Sequence, residues 1–320
     1  MGFLKYYKGS DGIPEIRDPI RFTNIVQNSS MEPWGDQWYV DSINGNDDYT
    51  GRGPSVAKET IQAAVTAAGR GDTIYINPGI WNTGTGFDRY TEDVTVTSGV
   101  SGTDMANSNM SIIGVSSGGT GDFLGVRWKH ATTANLTVNA PAFHVENIGF
   151  FSEGATYGAL CVNDGATKTK QGSQGTSFYN CAFKGKGLFV TGGGDGFTVE
   201  NTRFQCAYDG TVADLNYNAS SNPGRRLTVR NCEWLDGNGV VPSAPCITIA
   251  PPLTEMLIRD CYFPQLPTGS VYIATAGAVE GLIANCFFNI ADLDTDAHIT
   301  LGTAVVAVSC WDKAGIAAVS

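Results

Sequence analysis

Phe178-Tyr179-Asn180-Cys181-Ala182-Phe183 sets a frame that recurs down the second half of the chain: apolar, variable, Asn or Asp, Cys, variable, aromatic. Val229-Arg230-Asn231-Cys232-Glu233-Trp234, Ile258-Arg259-Asp260-Cys261-Tyr262-Phe263 and Ile283-Ala284-Asn285-Cys286-Phe287-Phe288 repeat it closely. Val145-Glu146-Asn147-Ile148-Gly149-Phe150 and Val199-Glu200-Asn201-Thr202-Arg203-Phe204 are looser copies. The Asn/Asp positions Asn147, Asn180, Asn201, Asn231, Asp260 and Asn285 are separated by 33, 21, 30, 29 and 25 residues. A period in this range marks a stacked repeat.

Each copy reads as a short strand, a polar turn residue and a second short strand. Asn and Asp tolerate the left-handed backbone region and bond locally, so they suit a tight corner. If each copy is one coil, equivalent residues lie about 4.8 Å apart, the spacing of paired strands. The Asn/Asp side chains would then stack and bond along the axis. Cys181, Cys232, Cys261 and Cys286 would form an interior stack, and the aromatics a second one. The 40 glycines are spread throughout and helical periodicity is almost absent, which disfavours a helical solenoid.

Upstream, residues 38–81 contain Trp38-Tyr-Val-Asp-Ser-Ile-Asn-Gly-Asn-Asp-Asp48, then Glu59-Thr-Ile-Gln-Ala-Ala-Val-Thr-Ala-Ala68, then Gly71-Asp72-Thr-Ile-Tyr-Ile-Asn-Pro78-Gly79. The spacing of Ile61, Ala64, Val65 and Ala68 predicts a helix over 59–68 that Gly69 ends. Thr73–Ile76 reads as a strand closed by a Pro-Gly turn. Further strands are expected at Asp93–Thr97, Met110–Val115 and Val126–Lys129. This segment resembles the opening of right-handed parallel β-helix proteins of the pectate-lyase-like superfamily, and the Asn-turn coils extend the resemblance to about residue 290. The resemblance implies an all-β, right-handed, single-stranded parallel β-helix whose short N-terminal helix caps the open end. That superfamily hosts lyases, hydrolases, adhesins and viral spikes, so the resemblance implies a fold and no single activity.

Two regions are expected: an N-terminal arm or attachment segment, residues 1–37, and a β-helix, residues 38–320, with coils over about 73–310. Residues 1–37 carry Pro14, Pro19 and Pro33 and apolar residues without clean periodicity. They read either as a tail wrapped along the solenoid or as an arm that docks on another subunit, with Phe3, Tyr6, Tyr7 and Phe22 as attachment residues. Roughly nine coils at about 4.8 Å each give a rod of about 45 Å.

Twenty Lys and Arg against 31 Asp and Glu leave a net charge of −11. Nucleic acid is therefore not an expected partner, since phosphate binding needs a basic patch and Lys168, Lys170, Lys184 and Lys186 are scattered. The opening residues lack the apolar run of a signal peptide, and Ile299–Trp311 is too short and polar to span a membrane. Synthesis in a host cytoplasm and assembly into a virion is the expected location. There, the eight cysteines (161, 181, 206, 232, 246, 261, 286 and 310) read as free structural thiols.

No metal and no cofactor is expected. Asp292-x-Asp294-x-Asp296 opens like a Ca²⁺ loop but has Ala297 at the Gly position and Thr303 at the closing Glu. Asn44–Asp48 reads as a turn, and Gly192–Gly196 as a tight loop without the Lys of a phosphate cradle. His130, His144 and His298 imply no nucleophile pair; His144 lies just ahead of a frame copy. Asp209 and Asp214 are the candidate acids of a glycan-cleaving site, with Arg225 and Arg226 nearby in the chain. The expected function is a non-enzymatic structural virion protein of a tailed phage, of capsid-decoration or head-fibre type. It would assemble as a homotrimer and attach to the capsid or another virion part through residues 1–37. The alternative is a tailspike-type depolymerase, lyase or hydrolase, acting on host surface polysaccharide.

Overall fold

The structure, a computed structural model, describes residues 7–8, 14–15, 35–78, 90–97, 107–115, 126–129, 133–152, 157–162, 172–192, 194–205, 213–219, 224–235, 244–265, 270–290, 293, 298–302, 304–313, 315 and 317–318. One coil shows how the chain winds. His144–Glu146 forms a strand, Asn147 turns the corner, Ile148–Phe151 forms a second strand, and Tyr157–Val162 a third. The chain then returns as Ser177–Tyr179, parallel to His144–Glu146 and directly beside it. Repetition builds a first sheet of ten strands, a second of nine and a third of eight. Pairing in them is parallel except at the end, where Ala317–Ala318 turns back antiparallel on Cys310–Trp311. The result is a right-handed parallel β-helix. Nine strand steps in the first sheet, at about 4.8 Å each, make it about 43 Å long.

Side chains alternate in and out along each strand, so alternate register columns face the core, and one of them in each sheet extends along the stack. In the first sheet that column includes Trp38, Ile74, Ile112, Val145, Phe178, Val199, Val229, Ile258 and Ile283. In the second sheet it is a continuous stack of rings. Trp128, Phe150, Phe183, Phe204, Trp234, Phe263 and Phe288 follow one another at centroid separations of 5.7, 4.9, 5.2, 4.9, 4.7 and 4.7 Å. The five contacts after the first are near-parallel, a geometry the strand spacing imposes and offset rings accept favourably.

The corner between the first and second sheets is the recurring turn. Asn147, Asn180, Asn201, Asn231, Asp260 and Asn285 all have φ between 50° and 58°. Each donates its backbone N–H to the next coil, Asn231 to Arg259 O at 3.2 Å for example. Side-chain bonds join Asn180 Nδ2 to Asn147 Oδ1, and Asn285 Nδ2 to Asp260 Oδ1 at 3.3 Å. Where the buried residue after the turn is Cys, it points a weak donor at two carbonyls. Cys232 Sγ lies 3.3 Å from Arg230 O in its own coil and 3.6 Å from Val199 O in the preceding one. Cys181, Cys261 and Cys286 repeat this, and Thr202 does it once, with a hydroxyl on Glu200 O.

The last coil departs from the frame. Ser309 takes the turn conformation at φ 50° and Cys310 follows it, so the corner continues without Asn or Asp. Asp312, 2% exposed, then occupies the place of the aromatic, and the ring stack ends at Phe288.

At the other end, the helix α1 runs Ile61–Ala67, shorter than the 59–68 expected, because Thr60 is its N-cap and accepts a bond from Ala63 N–H. Asp47 accepts from the N–H groups of Glu59 and Thr60, and Glu92 from those of Ile61 and Gln62. These carboxylates satisfy donors that a helix start leaves open. Ile61, Ala64 and Val65 are buried against the core. Asp72 pins the far end by accepting from Gly69 N–H, Asp36 N–H and Trp38 Nε1. Asp41 ties the first loop to Asn77, at 2.9 Å. Strand Thr73–Ile76 and strand Val126–Lys129 fall where the sequence places them, while Val94–Thr97 and Ser111–Gly114 are trimmed by one residue or two.

Removing one ring from the stack leaves a cavity between two neighbours. Trp234→Ala is expected to cost about 3–5 kcal/mol and to lower the denaturant midpoint accordingly. Burial works to raise the Asp41 carboxyl, but hydrogen bonds from Ile43, Asn44 and Asn77 outweigh it and hold it below its ordinary 3.8. Its stabilisation is therefore complete above that value and is lost as the pH falls through the lower folded one. In thermal melts, the difference between wild type and Asp41→Asn should be constant near neutrality and shrink below pH 3.8.

Candidate functional site

Because the interior is filled by side chains, chemistry has to sit on an outer face. The parallel register defines each face as columns, one residue per coil. On the third sheet, one column reads Thr95, Thr137, Leu160, Phe189, Asn216, Thr248, Ala274 and Thr300, none of them charged. On the second, it reads Arg127, Gly149, Ala182, Arg203, Glu233, Tyr262, Phe287 and Trp311. Arg203 and Glu233 are adjacent and form an ion pair at 2.7 Å.

The first sheet carries the densest polar chemistry. The column just before the turn reads Tyr39, Tyr75, Ile113, Glu146, Tyr179, Glu200, Arg230, Arg259, Ala284 and Val308. The column two residues earlier reads Gln37, Thr73, Ser111, His144, Ser177, Thr198, Thr228, Leu257, Leu282 and Val306. In the middle coils these columns bring His144 between two partners. Its Nδ1 lies 2.8 Å from Ser177 Oγ and its Nε2 3.2 Å from Glu146 Oε2. Tyr179 stands next to Glu146 on one side and Glu200 on the other, and Arg230 holds Glu200 at 2.6 Å. Hydrogen bonding to Glu200 raises the Arg230 guanidinium further above its already high range. At the first coils, Tyr39 and Tyr75 stack at 5.6 Å and line a small apolar cavity of about 170 Å³ with Pro54, Ala57 and Val115.

The residues singled out from sequence are distributed differently. Asp209 lies outside the described residues. Asp214 is only 5% exposed and lies directly ahead of strand Leu215–Asn218. Phe3, Tyr6 and Phe22 lie outside the described residues, as do His130, Lys168, Lys170 and Asp292, Asp294 and Asp296. Tyr7 falls in a short strand, Tyr7–Lys8, paired antiparallel with Pro14–Glu15. His298 lies beside Tyr272, with ring centroids 6.4 Å apart. Among the described residues, no three His, Cys, Asp or Glu side chains converge as a metal set. No described helix is long and apolar enough to cross a membrane. Burial pushes the Cys181 thiol up to about 12, so it stays protonated and donates at its corner. Asp47 accepts from Glu59 N–H, Thr60 N–H and the Thr60 hydroxyl at the helix start.

Glu146, Ser177, Glu200 and Arg230 were missed because the frame was read for its constant positions. Aligning the copies on their turn residues places Glu146, Tyr179, Glu200 and Arg230 in one column, and His144 and Ser177 in the other.

No family model matches the sequence, and no curated protein matches it. Among solved structures, the chain is similar to a rhamnogalacturonan lyase, at 12% identity and a TM-score of 0.48 over 86% of this chain and 74% of that one. It is similar to ORF18 of Geobacillus virus E2, at 11% identity and 0.46 over 87% of this chain, and spans 61% of that protein, less than two thirds. It is similar to a GH136 lacto-N-biosidase from Eubacterium ramulus, at 11% identity and 0.29 over 90% of this chain and 69% of that one. The fold is a right-handed parallel β-helix. That assignment rests on the three parallel sheets and their common corner.

The Arg203–Glu233 pair is partly exposed, at 22% and 38% of the side chains. A double-mutant cycle on Arg203→Ala and Glu233→Ala should give a coupling of about 0.2–1 kcal/mol that falls at high salt. A larger, salt-insensitive coupling would show that the ladder depends on this pair.

Proposed function

We propose that this chain is a structural virion protein of a tailed phage, a β-helical rod built to pack against further copies of itself. The observation that supports this reading is the change in the outer surface along the rod. Toward the end of the rod the outer columns of the first sheet turn apolar, one from Leu257 through Leu282 to Val306 and the other, after Arg259, at Ala284 and Val308. Around the corner the second sheet presents Tyr262, Phe287 and Trp311, with the first two rings stacked at 5.6 Å. Val306 is 49% exposed, Val308 41%, Trp311 39% and Tyr262 38%, all in one region. A contiguous apolar surface of this kind marks a contact with protein. A homotrimer with this corner at its centre covers all three copies equivalently. The N-terminal segment, with Phe3, Tyr6, Tyr7 and Phe22, is the proposed attachment to the capsid or another virion component.

Immunogold labelling of purified particles with an antibody against residues 133–290 tests the location. Label on the particle is expected, and label found only on free protein would overturn the reading. Light scattering on the purified chain tests assembly. Wild type should have the mass of a trimer and Val306→Asp/Val308→Asp that of a monomer with an unchanged circular dichroism spectrum. A monomeric wild type would remove the self-packing role.

A further inference from the structure

Three side chains on the outer face of the first sheet are arranged as an activated hydroxyl. Ser177 sits opposite His144 in the parallel register, with Oγ 2.8 Å from Nδ1, and the other ring nitrogen faces Glu146 Oε2 at 3.2 Å. An ionised carboxylate only accepts, so the neutral ring carries its proton on Nε2 and directs it at Glu146. That leaves the Nδ1 lone pair facing the Ser177 hydroxyl, which donates to it. Nucleophile, base and orienting acid are thus linked in one chain. The two ring nitrogens have exchanged places relative to the usual order of such chains, and the proton-transfer roles are the same. His144 and Glu146 side chains are 33% and 30% exposed, open to a substrate yet partly shielded. Thr198 lies opposite Ser177 on the next strand, a hydroxyl donor on the same face about 4.8 Å along the axis. Tyr179, 37% exposed, lies on the same strand two residues beyond Ser177.

We propose that Ser177 is a nucleophile, with His144 as its base, that hydrolyses short-chain acyl esters carried on a hydroxyl-rich polymer. The flat face favours a short acyl group on a large substrate. The column Ser111, Ser177, Thr198 and Thr228 offers hydroxyl partners along it, and the Tyr179 ring a surface for stacking. In the first half-reaction, Ser177 Oγ adds to the ester carbonyl as its proton passes to His144 Nδ1. The tetrahedral intermediate collapses, the bond to the alkoxy oxygen breaks, and the leaving alcohol takes that proton. Water, the sole co-reactant, then adds to the acyl-serine and gives a proton to Nδ1. Collapse breaks the acyl–Oγ bond, returns the proton to Ser177 and releases the carboxylic acid. Glu146 is a positioning residue that fixes the ring and its tautomer.

The full chain would be treated with a fluorophosphonate probe, digested and mapped by mass spectrometry, and its turnover of p-nitrophenyl acetate measured across pH. An adduct on Ser177 is expected, together with a loss of turnover of about 100-fold or more in Ser177→Ala and in His144→Gln. Glu146→Gln should lower kcat at unchanged KM and shift the pH–rate profile, which a merely structural side chain would not do. Melting curves matching wild type would show that the variants are folded. Wild-type turnover no greater than that of Ser177→Ala, or no adduct at Ser177, would overturn the proposal. An unchanged pH profile in Glu146→Gln would overturn the role given to Glu146.

Discussion

Everything in this chain depends on the backbone bond that crosses from one coil to the next at the corner. A residue with positive φ directs its N–H at the carbonyl of the following coil, and this contact recurs from Asn147 to Asn285. It fixes where the first sheet ends and the second begins, and so fixes the register of both. Once the register is fixed, like side chains must stack, because equivalent residues are held at the strand spacing. The ring stack from Trp128 to Phe288 and the thiols behind the turn are consequences of that constraint. The uneven coil lengths are absorbed in segments that the corner does not touch.

The same constraint explains what could be read in advance. The turn needs residues that tolerate the left-handed region, so Asn and Asp appear there and advertise the coil. The buried position behind it favours a small donor, Cys or Thr, with Ile148 the exception, and the interior column is filled by Phe or Trp. Ser309 escaped because it meets the backbone demand without being Asn or Asp, and Asp312 hid its coil further by replacing the ring. The outer faces were not legible in this way. His144 and Ser177 are neighbours only because each stands three residues before a turn, a relation that sequence distance conceals.

The outer faces divide the rod into zones of different chemistry. Tyrosines stack in the first coils, charged and hydroxyl side chains occupy the middle, and aliphatic and aromatic ones predominate toward the end. The charges in the middle are largely directed at each other across strands, as in Arg230–Glu200 and Arg203–Glu233. A single winding rule supports several surfaces in sequence, each free to differ because its side chains take no part in the core.

The corner contact also has a mechanical side. Hydrogen bonds between coils run along the axis, so a pull on the two ends loads every bond at a given coil boundary together, as in a stack of glued plates. Between neighbouring coils the single covalent link is the chain passing from one to the next, and every other tie is non-covalent. The tensile strength of the rod is therefore that of its weakest boundary, and length adds nothing to it. At the final boundary, the second sheet contributes one register pair, Phe287 with Trp311, and the first sheet five. Pulled from that end, such a rod would unwind coil by coil, with the inner coils still wound.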